Sequence, residues 1–256
     1  MSERVIDYGE RGKVRVVADG DAIARAGAEL VRDEMIEVVR ERGVGCIALS
    51  GGSTPKAMGA ILREEPFRSQ VPWGSMQVFW GDERWVPIID PESNAGEALR
   101  GYLTSVPIPE SNIHPFPTSG DPAKAAEIYA ETIKRVVPGS PLPTFDLILL
   151  GMGQDGHTAS LFPGSSAVGV EDKLVVYTTI TRLETIRLTF TAPLINAARK
   201  IVFLVGGEGK AGTLAEVLDG PRNPNHLPSQ SIQPTNGDLI WIVDEAAASH
   251  LALPAR

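Results

Sequence analysis

The sequence predicts an α/β fold with a largely parallel central sheet covered by helices on both faces. Short, nearly continuous apolar runs rich in β-branched and aromatic residues recur along the chain, as expected of strands buried on both faces. Segments with helical apolar spacing separate many of them, which is the pattern of repeated strand-helix crossovers. Several runs end directly in glycine-rich or charged turns, at the carboxyl ends of strands where such sheets gather ligands.

Taken in order, the segment before Asp21 holds one candidate strand. From Asp21 to Arg42, Ile23, Gly27, Leu30, Val31, Met35 and Val38 recur at helical spacing, and Gly43 supplies a stop. Predicted strands follow at 46–50 (CIALS), 76–80 (MQVFW), 146–150 (DLILL), 174–180 (LVVYTTI), 187–191 (RLTFT), 201–205 (IVFLV) and 239–243 (LIWIV). Predicted helices lie between them at Pro55 to Arg63, Asn94 to Leu103, Ala123 to Val137 and Lys210 to Leu218. The Pro- and Gly-containing stretches Val137 to Thr144 and Gly220 to Pro234 are short and flanked by apolar segments, so they read as loops. With no linker or internal repeat, residues 1–256 are expected to form a single domain, and a 43% hydrophobic content is enough for a substantial core.

A net charge of −8 argues against nucleic acid or an anionic membrane as partner. An anionic small molecule would have to be met by a few placed Arg or Lys residues. The lone cysteine, Cys46, lies in an apolar run and suits a buried thiol in a reducing compartment. The first residues, MSERVIDYGERGKV, lack the apolar core of a secretory signal, and no run approaches a membrane span. A soluble, cytoplasmic protein is expected. Its oligomeric state, monomer or small homo-oligomer, is left open.

The most informative stretch runs from Phe145 to Gly164, FDLILLGMGQDGHTASLFPG. Gly151, Gly153 and Gly156 match the G-x-G-x-x-G spacing of a dinucleotide loop, but Pro163 and Gly164 stop any helix after about two turns, so a dinucleotide-binding crossover does not fit. What remains is a tight strand-to-helix turn that holds Asp155 beside His157. Imidazole titrates near neutral pH, and a carboxylate can fix its tautomer and raise its basicity. The alternative is that Asp155 caps a short helix and His157 packs beside it.

Three other strand ends carry polar groups. In Gly51-Gly52-Ser53-Thr54-Pro55, two glycines permit a tight turn, Ser or Thr can cap, and Pro55 suits the first helical position; this is either a phosphate cradle or an ordinary capped turn. Gly81-Asp82-Glu83-Arg84 offers either a buried carboxylate and an anion-binding guanidinium or a solvated turn. Gly206-Gly207-Glu208-Gly209-Lys210 is not a Walker A loop, because Leu204 and Ala211 occupy required positions. Lysine at a helix start opposes the macrodipole, which hints at an anion, with a plain surface lysine as the alternative. His114, His157, His226 and His250 are widely separated, no Cys cluster or G-x-S-x-G elbow exists, and no metal site is expected. Ser160 lies near His157 without a local mark of activation.

Together, SGGSTP at 50–55, FWGDERWVP at 79–87 with Ser93-Asn94, LLGMGQDGHTASLFPG at 149–164 and FLVGGEGKA at 203–211 closely resemble the 6-phosphogluconolactonase family, in that family's order and over most of the chain. The resemblance implies a sugar-phosphate isomerase/deaminase-like, Rossmann-like fold. It implies hydrolysis of 6-phosphoglucono-δ-lactone in the oxidative pentose phosphate pathway, with a phosphorylated sugar lactone as the small-molecule partner and no metal or organic cofactor. His157 resembles the family's general base, acting on the water that attacks the lactone carbonyl, and Asp155 would orient it; this pair and the missing nucleophile elbow lead us to expect direct hydrolysis without an acyl-enzyme. Asp82 resembles a family carboxylate near the sugar, and Arg84 a group that binds or polarises the substrate. For the phosphate the resemblance points to the Gly51-Gly52-Ser53-Thr54 turn, Arg187 and Lys210. A related sugar-phosphate deaminase would carry a glutamate at the position of Phe162. A sugar-phosphate sensor of the transcription-regulator kind would need a DNA-binding helix-turn-helix, and none is visible.

Overall fold

A computed structural model describes residues 4–252. Its ten strands are β1 (Arg4–Asp7), β2 (Lys13–Val17), β3 (Gly45–Leu49), β4 (Met76–Trp80), β5 (Asp82–Arg84), β6 (Leu147–Leu150), β7 (Val175–Ile180), β8 (Thr185–Phe190), β9 (Lys200–Val205) and β10 (Asp238–Asp244). Seven of them form one sheet in the order β1-β2-β10-β9-β6-β3-β4. Only β1 runs antiparallel to its neighbour; every other adjacent pair is parallel. The mostly parallel sheet expected from the apolar runs is therefore present. Strands β3 and β6 are buried along their whole lengths, which is why their sequences show no alternation.

The remaining strands depart from the expectation. The runs at 174–180 and 187–191 do not join the main sheet; they pair antiparallel as β7 and β8, with β5 completing a separate three-stranded sheet in the order β5-β8-β7. Their connection explains it. Residues 181–184 are a single 3-10 turn ending in Glu184 with φ +49°, too short for the crossover that a parallel pair requires.

The helices are α1 (Gly20–Arg42), α2 (Ser53–Leu62), α3 (Phe67–Gln70), α4 (Asn94–Gly101), α5 (Pro122–Val136), α6 (Ala192–Asn196) and α7 (Ala211–Leu218). Three begin with an acid or hydroxyl that accepts a first-turn N–H: Asp19 from Ala22, Ser93 from Gly96 and Asp121 from Lys124. Gly43, with φ +79°, ends α1 in the left-handed conformation. Lys210, read as the first residue of the last long helix, instead closes a 3-10 turn just before α7. Among the described residues no helix is long and apolar enough to cross a membrane.

Connection order positions the site. The crossovers β2-α1-β3 and β3-α2-α3-β4 move in one direction along the sheet, whereas β4-α5-β6 and β9-α7-β10 move back. With right-handed crossovers, α1 and α2 then share one face and α5 and α7 the other. On the first face, Gly27 of α1 lets the helix approach the Met58 sulfur and Leu204, a built Cβ falling 3.1 Å and 3.5 Å from them. On the second, Tyr129 of α5 stacks on Phe116 at 3.7 Å between centroids and meets Phe79 edge-on at 6.0 Å. The direction reverses between β3 and β6, so their carboxyl ends flank the switch-point crevice where such sheets bind ligands.

Tyr129 also terminates β4 chemically. Its buried hydroxyl accepts from Trp80 N at 3.0 Å and donates to His114 O at 2.9 Å. Replacing Tyr129 by Phe strands a buried N–H and weakens a carbonyl's pairing while keeping the ring. The expected loss is about 1–3 kcal/mol, read as a lower urea midpoint at unchanged slope.

Candidate active site

The loop after β6 is built differently from the predicted strand-to-helix turn. No helix forms between Gly151 and Gly164. The loop closes on itself instead, with Gly153 N donating to His157 O at 2.9 Å and Gly156 N to Gly153 O at 3.1 Å. Its carbonyls are taken by side chains and backbone from elsewhere: Gly151 O by Thr158 Oγ1, Gln154 O by Thr213 Oγ1, and Gly156 O by both N and Oγ of Ser229. These carbonyls are unavailable to a helical ladder, and with no helix following it Asp155 is not a helix cap.

Its carboxylate serves the histidine. Asp155 Oδ1 lies 2.5 Å from His157 Nδ1 and also accepts from His157 N at 3.3 Å. This arrangement places a proton on Nδ1 and leaves Nε2 as the basic nitrogen. A Cβ on Gly153 would fall 2.1 Å from His157 Nδ1, so the second glycine of the G-x-G spacing is clearance for the imidazole. The ring also stacks on Phe162, with centroids 4.1 Å apart and planes 23° apart. Phe162 occupies the position where the deaminase comparison called for a glutamate.

The Gly81–Arg84 segment is not a solvated turn. Gly81 N donates to Leu49 O, Phe190 N donates to Gly81 O, and Asp82 to Arg84 form β5 against β8. Asp82 is 8% exposed; its Oδ2 accepts from Ser160 Oγ at 2.7 Å, and Asn94 Nδ2 donates to its main-chain oxygen at 3.0 Å. Glu83, 1% exposed, faces the other way and accepts from Arg84 N, Asn94 N, Ala95 N and Ser93 Oγ, fastening the start of α4.

Arg84 and Arg187 are directly opposed across β5 and β8. Arg84 Nη1 donates to Glu92 O at 2.7 Å, yet the buried Nε of each guanidinium has no hydrogen-bond partner among the described residues. Burial, and then the neighbouring Arg84, push the Arg187 pKa down, while Asp82, Glu92 and Glu83 oppose the shift. Two adjacent guanidiniums with unspent N–H groups form a ready receptor for an anion.

The loop after β3 turns at Gly52, φ +113°, and α2 begins at Ser53, so Gly52 takes the cap position assigned to Ser or Thr and Pro55 lies deeper than the first helical residue. Without a side-chain cap, the first-turn N–H groups of α2, which begins with Ser53 and Thr54, lie at the carboxyl edge of the sheet. A Cβ on Gly51 would fall 1.8 Å from Asn94 Oδ1, so Asn94 ties this turn to Asp82. After β9, Gly209 touches the histidine loop: its Cβ would lie 2.8 Å from Gln154 Nε2. Lys210 is half-buried, and burial lowers its pKa against the pull of Asp244.

All four predicted loops thus meet on one edge of the sheet. Asp155 with His157, and Arg84 with Arg187, are brought into direct juxtaposition; Gly51, Gly52, Ser53, Thr54, Asp82 and Lys210 frame them from neighbouring strand ends. Sequence reasoning missed Ser160 as the partner of Asp82, Gln154 and Thr213 as ties between loops, and Asp244. Asp244 stands immediately after a predicted strand, so the strand-end rule applied there would have marked it. Among the described residues, no group of three or more His, Cys, Asp and Glu side chains is placed to hold a metal ion.

Comparison with known proteins follows the same pattern. The family model described as glucosamine-6-phosphate isomerases/6-phosphogluconolactonase matches residues 18–241. A 6-phosphogluconolactonase of Synechocystis sp. is 43% identical over 242 residues, covering 93% of this chain and 98% of its own. One from Nostoc sp. is 39% identical, covering 94% and 98%. Among solved structures, 6-phosphogluconolactonase from Trypanosoma brucei superposes with a TM-score of 0.84 at 26% identity, covering 93% of this chain and 98% of that one.

The buried Glu83 supplies a test of how the site is held. Burial raises its pKa, while the N–H groups of Ala95, Asn94 and Arg84 and the Ser93 hydroxyl pull it down. Glu83→Gln sets an amide N–H₂ against N–H donors and should cost about 1–3 kcal/mol. With the folded pKa above the unfolded one, the linked stability is complete below the unfolded value and is lost as pH rises through the folded one. The wild-type advantage over Glu83→Gln in urea unfolding should therefore narrow as pH rises above the ordinary glutamate value of about 4.3.

Proposed function

The chain belongs to the glucosamine-6-phosphate isomerase/6-phosphogluconolactonase family, and we propose that it hydrolyses 6-phospho-D-glucono-1,5-lactone to 6-phospho-D-gluconate, the lactone-opening step of the oxidative pentose phosphate pathway. The observation that carries the reading is the hydrogen bond from His157 Nδ1 to Asp155 in a loop at the switch point.

In the proposed reaction, His157 Nε2 removes a proton from water as its oxygen bonds to the lactone carbonyl carbon. Asp155 holds the tautomer and stabilises the imidazolium that forms. The tetrahedral oxyanion then collapses, the bond from carbon to ring oxygen breaks, and the imidazolium returns its proton to that oxygen. Water thus supplies the new carboxyl oxygen, the ring oxygen becomes a hydroxyl, and no acyl-enzyme forms. Stacking on Phe162 fixes the plane of the imidazole.

The other end of the substrate requires a cationic receptor. Arg187 and Lys210, with the N–H groups and hydroxyls of the Ser53-Thr54 turn, take the phosphate in this reading. Arg84, two residues from Asp82 on β5 and opposite Arg187, polarises or binds the lactone, and Asp82, held by Ser160 and Asn94, accepts hydrogen bonds from sugar hydroxyls. An acidic protein can bind such a dianion because a few of its cations, Arg84, Arg187 and Lys210, stand at this edge.

The direct test generates the lactone in situ and follows its disappearance with and without purified protein. Decay at the spontaneous rate across a range of pH would sink the assignment. His157→Ala should lower kcat by about 10²–10⁴-fold in a folded protein, the usual contribution of a general base. Arg187→Ala should act chiefly on KM, raising it while His157 chemistry continues.

A further inference from the structure

The end of β10 carries a buried carboxylate that the reaction above does not use. Asp244 is 6% exposed and faces the turn that leaves β9, because Val243 pairs with Val205 and the next residues on the two strands are Asp244 and Gly206. Gly207 N approaches both carboxylate oxygens, at 3.1 Å and 2.9 Å, and Ala247 N donates to Oδ1 at 2.7 Å. The turn is shaped around that contact. Gly207 has φ +95°, and a Cβ on Gly206 would fall 2.9 Å from Asp244 Oδ2 and 3.0 Å from Ile23 Cδ1.

This turn delivers Lys210. The chain passes from Gly207 through the 3-10 turn Glu208–Lys210 into α7, so fixing Gly207 sets where Lys210 begins. A half-buried ammonium at a helix start opposes both desolvation and the macrodipole. Asp244 is the negative charge acting on it from the adjacent strand. A buried carboxylate bound to two backbone N–H groups stays in place and adds no mobile charge to the phosphate site.

We propose that Asp244 is the positioning residue for Lys210, holding the Gly206-Gly207 turn and supplying the counter-charge that keeps the ammonium ready for a phosphate. The inference rests on the reading of Lys210 as a phosphate ligand. Asp244 itself touches no reacting atom in this scheme.

The test compares wild type, Asp244→Asn, Lys210→Ala and the double variant, measuring kcat and KM for the phosphorylated lactone and Ki for inorganic phosphate as competitor. Asp244→Asn should raise KM and the phosphate Ki together, on the order of tenfold as for other orienting partners, with kcat within about threefold of wild type. The double variant should bind no worse than Lys210→Ala alone, since the two residues act as a unit. A merely structural role would instead lower kcat or the active fraction and leave KM and Ki alone. That result, or additive losses in the double variant, overturns the proposal. If Lys210→Ala leaves KM and Ki unaltered, the phosphate reading of Lys210 fails and the inference falls with it; if only Asp244→Asn does so, the inference alone fails. Should Asp244→Asn not fold, Gly206→Ala, which presses on the same carboxylate, should give the same joint rise, and wild-type KM and Ki in that variant would overturn the proposal.

Discussion

The hydrogen bond from Ser160 to Asp82 is the constraint on which the site depends. It joins the loop that follows β6 to the strand that follows β4, at 2.7 Å between two buried groups. Asn94 extends the connection, donating to the Asp82 main chain while lying against Gly51 in the turn after β3. Gln154 and Thr213 complete it toward the β9 loop. Parallel strands deliver four loops to one edge but do not set their mutual positions. Buried polar contacts do, and an unpaired member would leave a desolvated group costing about 1–3 kcal/mol.

Glycine appears at these junctions for clearance more than for flexibility. A Cβ at Gly51, Gly153 or Gly206 would intrude on Asn94, His157 or Asp244 respectively. Each glycine thus lets a polar side chain close against the backbone of a strand-end loop. This accounts for a G-x-G-x-x-G spacing without a dinucleotide: Gly153 makes room for imidazole and Gly156, φ +74°, turns the chain back on itself.

The main sheet and the loops on its edge were legible because both are local signals. Apolar runs mark buried strands, and polar residues directly after them mark the carboxyl edge. The small sheet was not legible in the same way. The runs at 174–180 and 187–191 resemble buried parallel strands, and β5 comprises only Asp82, Glu83 and Arg84, charged residues that read as a turn. Their strand conformation comes from pairing with β8 and from the tie of Glu83 to α4, contacts distant in sequence. The helix expected after Asp155 failed for the same reason, since Ser229 and Thr213 take backbone groups a helix would have used. Asp155 and His157, two residues apart, needed no long-range information to be paired.

Several local rules are broken at this one edge. Like charges directly opposed across antiparallel strands are destabilising, yet Arg84 faces Arg187 with buried N–H groups unspent. Ala159, next to Ser160, holds φ +46°, a conformation that costs a non-glycine residue about 1–3 kcal/mol. Lys210 stands half-buried at the start of α7. A chain optimised for stability alone would avoid all three, and elsewhere the helix starts at Asp19, Ser93 and Asp121 follow the rules closely. An anion against the Arg187 guanidinium would offset its repulsion with Arg84. All three departures fall among the loops and short strands at this edge, the pattern expected where a chain gives up local stability for a binding site.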